Sequence, residues 1–164
     1  MIIYGMRHAI AEPGGPGVSD DARALTPEGE RKLAEIAAGL QALDVRPGKI
    51  WTSPYRRAAQ TAAAVALALG VKEIQESALL TPGHSPAEVW SELLRGSPEE
   101  KVMCVGHEPL LSDLASYLLT GGRAASIQMK RGAVFAVEVD PLQPPGTGVL
   151  LFLLQPRHAR GAGR

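Results

Sequence analysis

Three short apolar runs, residues 2–6 (IIYGM), 49–52 (KIWT) and 102–105 (VMCV), each give way to a basic segment, and this alternation constrains the fold more than any other feature. Each run has the length of a strand and not of a helix. Between them lie helical patterns with explicit start signals. Thr26-Pro27 offers an N-cap followed by proline at the first helical position, and Leu33, Ile36, Ala37, Leu40 and Leu43 recur at three- and four-residue spacing, which predicts a helix over 26–43. Ser53-Pro54 repeats that start for an alanine-rich helix that Gly70 closes, and Ser85-Pro86-Ala87-Glu88 is a capping box opening a helix that Gly96 ends. A fourth helix begins near Pro109, with Leu110, Leu111, Leu114, Ala115 and Leu118 on one face and Gly121-Gly122 beyond its end.

After that helix the character changes. Residues 133–139 and 149–154 read as two strands joined by a loop rich in proline and glycine. Strands that alternate with helices predict an α/β structure, a three-layer α/β/α sandwich around a largely parallel sheet, made mixed by the final hairpin. Residues 1–156 form one domain on this reading, and the basic tail 157–164, with Arg157, His158, Arg160 and Arg164, is expected to be disordered and is given no function.

In such sheets ligands collect beyond the carboxyl ends of the strands. Here those exits carry Arg7-His8, Ser53 to Thr61 (SPYRRAAQT) and Gly106-His107-Glu108-Pro109. One pocket can therefore gather basic groups that are distant in sequence, and their chemistry is that of phosphoryl transfer. That reaction needs an aligned nucleophile and positive charge around the phosphoryl oxygens, and little else. An imidazole with an ordinary pKa near 6.5 keeps a free lone pair at pH 7, so His8 is a candidate nucleophile and a phospho-His8 intermediate follows. Arg7 and one arginine of the 56/57 pair supply forked donors for two oxygens at a time, and His107 donates to the same phosphate. Arg56 and Arg57 point about 100° apart on a helix, and periodicity does not decide between them.

The chain carries 17 Lys+Arg against 17 Asp+Glu, so no global field draws it to nucleic acid or an anionic membrane. No apolar run approaches a membrane span, no signal peptide is visible, and the single Cys104 sits in a strand-like run as a core thiol. A cytoplasmic location is the expectation. Trp51 and Trp90 read as core, His84 as a polar loop residue, and Gly14 to Gly17 as a mobile lid or spacer without the placement of a phosphate-binding loop.

Arg7-His8-Ala9, the Ser-Pro-x-x-Arg-Ala-x-Gln-Thr run and Gly106-His107-Glu108-Pro109 resemble the motifs of the histidine phosphatase (phosphoglycerate-mutase-like) superfamily, across nearly the whole chain. The size, the run from Val105 to Ser112 and the segment Met129 to Ala133 are most similar to its SixA-type phosphohistidine phosphatases. The resemblance implies a metal-independent phosphatase without a cofactor, with His8 as the phosphorylated nucleophile, Arg7, Arg57 and His107 completing the phosphate pocket, and Arg56 at a variable position.

Two departures matter. Ala9 stands where the superfamily usually has glycine, and residues 79–83 (LLTPG) carry no carboxylate where many members place their general acid. An alkoxide leaving group needs a proton, whereas phosphohistidine protonated on its far ring nitrogen leaves as neutral imidazole. The missing acid therefore favours phosphohistidine or another activated phosphate, and together with the short chain and the SixA-like motifs it favours phosphohistidine on a partner protein over a small phosphorylated metabolite. The alternatives are a phosphomonoester phosphatase whose acid is Glu12, Asp20, Asp21, His84 or Glu108, and a phosphate-binding domain without turnover.

Overall fold

The computed structural model describes residues 1–97 and 100–163. Six strands, β1 (Ile2–Arg7), β2 (Lys49–Thr52), β3 (Glu73–Glu76), β4 (Lys101–Gly106), β5 (Val134–Glu138) and β6 (Val149–Leu154), form one sheet in the order β3-β2-β4-β1-β5-β6. The first four are mutually parallel, while β5 runs antiparallel to both β1 and β6. The mixed, mostly parallel α/β sheet expected from the alternation is present.

Alternate strand residues divide the core between two layers. Tyr4, Met6, Ile50, Met103, Val105, Val134 and Ala136 face α1 (Pro27–Ala42), α2 (Arg56–Leu69) and Ala159. Ile3, Trp51, Val102, Cys104, Phe135 and Val137 face α3 (Pro86–Leu93) and α4 (Leu110–Thr120). Both tryptophans are core residues, and burial pushes the Cys104 thiol up to about 12, as an inert buried sulfur requires.

The start signals hold for α1, where Thr26 Oγ1 accepts from Gly29 N, and for α3, where the Ser85–Glu88 capping box is complete. Gly70 and Gly121 close α2 and α4 in the left-handed conformation. At Ser53-Pro54 the expectation is corrected, because α2 starts two residues later with Tyr55 as its N-cap. Ser53 N still donates to Val105 O, so the chain remains tied to the sheet through Ser53 and cannot yet turn into a helix.

The tail expectation is also corrected. Residues Pro156–Ala162 form a fifth helix, α5, with proline at its first turn and Ala159 fully buried against α1. Gly39 makes that contact possible, since a Cβ there would lie 1.7 Å from Ala159 O. Arg164 lies outside the described residues. Strand β3 was not expected: all four of its residues are exposed, so it shows no apolar alternation, and its charged side chains suit a sheet edge. Among the described residues no helix is long and apolar enough to cross a membrane.

Candidate active site

The register of three adjacent parallel strands brings the basic motifs together. Arg7 on β1 is level with Gly106 on β4, and Thr52 on β2 with Val105, so the chain leaves all three strands at one edge. His8 N donates to Gly106 O, and the His8 and His107 rings lie 5.1 Å apart. Arg7, His8, Arg57 and His107 all line a pocket of about 260 Å³, together with Ala11, Asp20, Arg23, Pro82, Glu108 and Arg131. The ambiguity in α2 is resolved by burial: Arg57 is only 3% exposed and turned into this pocket, while Arg56 faces solvent.

Hydrogen-bond partners fix the tautomers of both imidazoles. Ala9 O can only accept, so His8 carries its proton on Nδ1, 2.7 Å from that oxygen, and keeps a lone pair on Nε2. That lone pair accepts from Arg57 Nε at 3.3 Å. Arg57 Nη2 likewise can only donate, so His107 Nδ1 accepts from it at 3.3 Å, and Nε2–H of His107 donates to Ser53 Oγ at 2.8 Å. Ser53 thus orients a pocket histidine, a role its reading as a helix cap concealed. Thr61 does similar work, accepting from Ala9 N at 3.1 Å and donating to Arg57 O at 2.7 Å. Ala9 is buried in the core and its backbone is not left-handed, so a side chain is accepted there without the strain that would demand glycine.

Burial pulls the His8 imidazole down to about 3, with the charges of His107, Arg57 and Arg7 adding to it against the bond to Ala9. Burial and the Arg57 charge bring His107 down to about 4, with Asp20 opposing them. Both rings are therefore neutral at pH 7. An unfolded chain takes up protons at these positions below about pH 6.5 while the folded one does not, so stability is present above pH 6.5 and is lost toward pH 4. The melting temperature in phosphate-free buffer should fall across that window, and His8→Asn should flatten the fall. An unchanged melting temperature from pH 6.5 to 4.5 would show that the folded imidazoles take up protons as readily as the unfolded ones.

The five candidate acids separate clearly. Asp20 and Glu108 line the pocket, whereas Glu12, Asp21 and His84 do not. His84 pairs instead with Glu88 at 3.3 Å on the helix it precedes. Asp20 is gripped by two guanidiniums: its Oδ2 accepts from Arg57 Nη2 at 3.0 Å, its carbonyl from Arg57 Nη1, and its Oδ1 pairs with Arg23 Nη2 at 2.6 Å. Desolvation raises this carboxyl, but the bonds and charges of Arg57 and Arg23 outweigh it and hold it below the usual range. An ionised Asp20 is a poor proton donor at neutral pH, and its geometry is that of a brace for Arg57. Glu108 is half-buried, accepts from Ser112 N at 3.1 Å through one oxygen, and lies close enough to Arg7 to favour its charge.

The described geometry can hold a tetrahedral oxyanion between two forked cations with an imidazole lone pair beside it. Residues 3–81 match the family description "Histidine phosphatase superfamily (branch 1)". An uncharacterised protein of Picosynechococcus sp. is 32% identical over 84% of this chain and 84% of its own length. The protein histidine phosphatase SixA, solved with tungstate, superposes with a TM-score of 0.83 at 26% identity, covering 96% of this chain and 98% of that one. A phosphoserine phosphatase from Entamoeba histolytica shares the fold at 16% identity, with a TM-score of 0.69 and 96% and 98% coverage.

Proposed function

This chain belongs to branch 1 of the histidine phosphatase superfamily, and from that premise we propose that it removes phosphate from phosphohistidine carried on a protein, through a phospho-His8 intermediate. His8 Nε2 attacks phosphorus, the bond to the substrate nitrogen breaks, and its electron pair leaves on an imidazole whose far nitrogen is already protonated. Arg7, Arg57 and His107 bind the phosphoryl oxygens, and the Arg57 Nε contact to His8 Nε2 is exchanged for one to phosphate. A dianion beside His107 favours its protonation on Nδ1, which turns that atom from acceptor to donor. Water then attacks phospho-His8, the P–Nε2 bond breaks, its electron pair returns to His8, and the proton lost by the water passes to Glu108. Inorganic phosphate is released.

One observation carries the choice of substrate. Of the two carboxylates in the lining, Asp20 is spent on Arg57 and Arg23 and does not offer a proton to an alkoxide. A pocket of about 260 Å³ also falls below the usual 300–1,000 Å³ of small-molecule sites, which suits a side chain presented from outside. The test compares kcat/KM for a phosphohistidine-bearing protein with that for phosphoserine and sugar phosphates. Because a general acid contributes about 10²–10⁴-fold, the phosphohistidine substrate should lead by at least about 100-fold. Equal or better turnover of monoesters would favour the second reading, a phosphomonoester phosphatase, which the presence of Glu108 in the lining supports, with that residue as its acid.

A further inference from the structure

We propose that Arg131 is a specificity-determining residue: it recognises a carboxylate that the substrate carries beside its phosphoryl group. The inference rests on the reading of the pocket as a phosphoryl site and adds a second anionic point of recognition to it. Four guanidiniums, those of Arg7, Arg23, Arg57 and Arg131, line the pocket against two carboxylates, Asp20 and Glu108. Three of the four have partners. Arg57 and Arg23 are bound to Asp20, and Arg7 donates to Met129 O at 2.8 Å beside Glu108. Arg131 is exposed at the mouth, and no carboxylate among the described residues pairs with it.

The root of Arg131 is nevertheless fixed relative to the site. Arg7 N donates to Ala133 O at 3.1 Å, Gly132 N donates back to Arg7 O at 3.0 Å, and Ala133 N closes the turn on Lys130 O at 2.8 Å. From the other side, Lys130 N donates to Gln155 Oε1, whose amide nitrogen donates to Gln128 O. The turn bearing Arg131 is thus tied to the strand end that bears Arg7, and its guanidinium sits near enough to oppose the Arg7 charge. An unpaired cation held against another cation is unfavourable in the empty site and becomes favourable when an anion bridges them. Once a phosphoryl group is taken by Arg7, Arg57 and His107, Arg131 is left for a further anion, and its planar fork matches a carboxylate. The source is either an acidic residue flanking the phosphohistidine or a carboxylate on the phosphorylated molecule itself.

Binding of two non-hydrolysable probes, 3-phosphonopropionate and ethylphosphonate, separates this from turnover. The wild-type protein should bind the carboxylate-bearing probe about tenfold more tightly, one well-placed ion pair's worth. Arg131→Gln should erase that preference by weakening the carboxylate-bearing probe about tenfold more than ethylphosphonate, Arg131→Lys should restore part of it, and Lys130→Gln should keep it whole. Equal affinity for the two probes in the wild type, or an equal loss of both in Arg131→Gln, would overturn the proposal. Phosphohistidine peptides with acidic or alanine flanks, set against free phosphohistidine, then tell the two carboxylate sources apart. Absence of any hydrolysis would count against the proposed function alone, because the probe pair reads Arg131 without it.

Discussion

His8→Ala should lower kcat by about 10⁴-fold or more, since a covalent route cannot run without its nucleophile, and no acid-labile phosphoenzyme should form on mixing with phosphoramidate. The expectation follows from the tautomer set at the end of β1. With its proton on Nδ1 held by Ala9 O, His8 presents a lone pair on Nε2 that needs no base to expose it. No other group in the lining should replace it, because His107 Nε2 is turned away from Arg57 toward Ser53 and its Nδ1 is the atom proposed to bind the same phosphate. Rapid-quench labelling measures the effect. A His8→Ala protein that still becomes labelled, or that keeps a tenth of its turnover, would refute the covalent route.

The second large effect distinguishes two neighbouring arginines. Arg57→Ala should cost on the order of 10²–10³-fold in kcat/KM, the loss expected when a preorganised donor to developing charge is removed. Arg56→Ala should cost less than about twofold, as an exposed charge does. Arg57 is worth so much because its guanidinium touches the nucleophile at 3.3 Å, His107 at 3.3 Å and Asp20 at 3.0 Å, so one substitution disconnects both imidazoles from the loop. Arg57→Lys keeps the charge but not the fork, and should recover only part of the loss. Equal losses in Arg56→Ala and Arg57→Ala would show that the burial of Arg57 has no bearing on the reaction.

Much of this arrangement is legible in the amino-acid sequence. Apolar runs followed by capping signals locate β1, β2, β4, α1 and α3, and a parallel sheet must then place their exits along one edge. What stays hidden depends on contacts between distant segments. The strand β3 is defined by backbone pairing to β2 and not by side-chain burial, so EIQE carries no periodic signal. The helix α5 exists because Gly39 lets Ala159 approach α1, and its basic composition alone reads as a solvated tail. Ser53 satisfies the pattern of a helix cap yet serves His107, which follows it by 54 positions. Asp20 reads as a candidate acid because carboxylates donate protons in related chemistry. Only its position between Arg23 and Arg57 identifies it as a brace. The Arg-His pair is ambiguous alone and becomes informative through the company of the other two exits.

The imidazoles of His8 and His107 and the guanidiniums of Arg7 and Arg57 should close around one phosphoryl group. A crystal structure of the protein soaked with tungstate tests it most directly. The oxyanion should occupy the 260 Å³ pocket, with the metal facing His8 Nε2, oxygens accepting from Arg7, Arg57 and His107 Nδ1, and Asp20 no longer sharing Arg57 Nη2 with His107. Tungstate bound elsewhere, or seated in that pocket with His8 Nε2 still capped by Arg57, would contradict it.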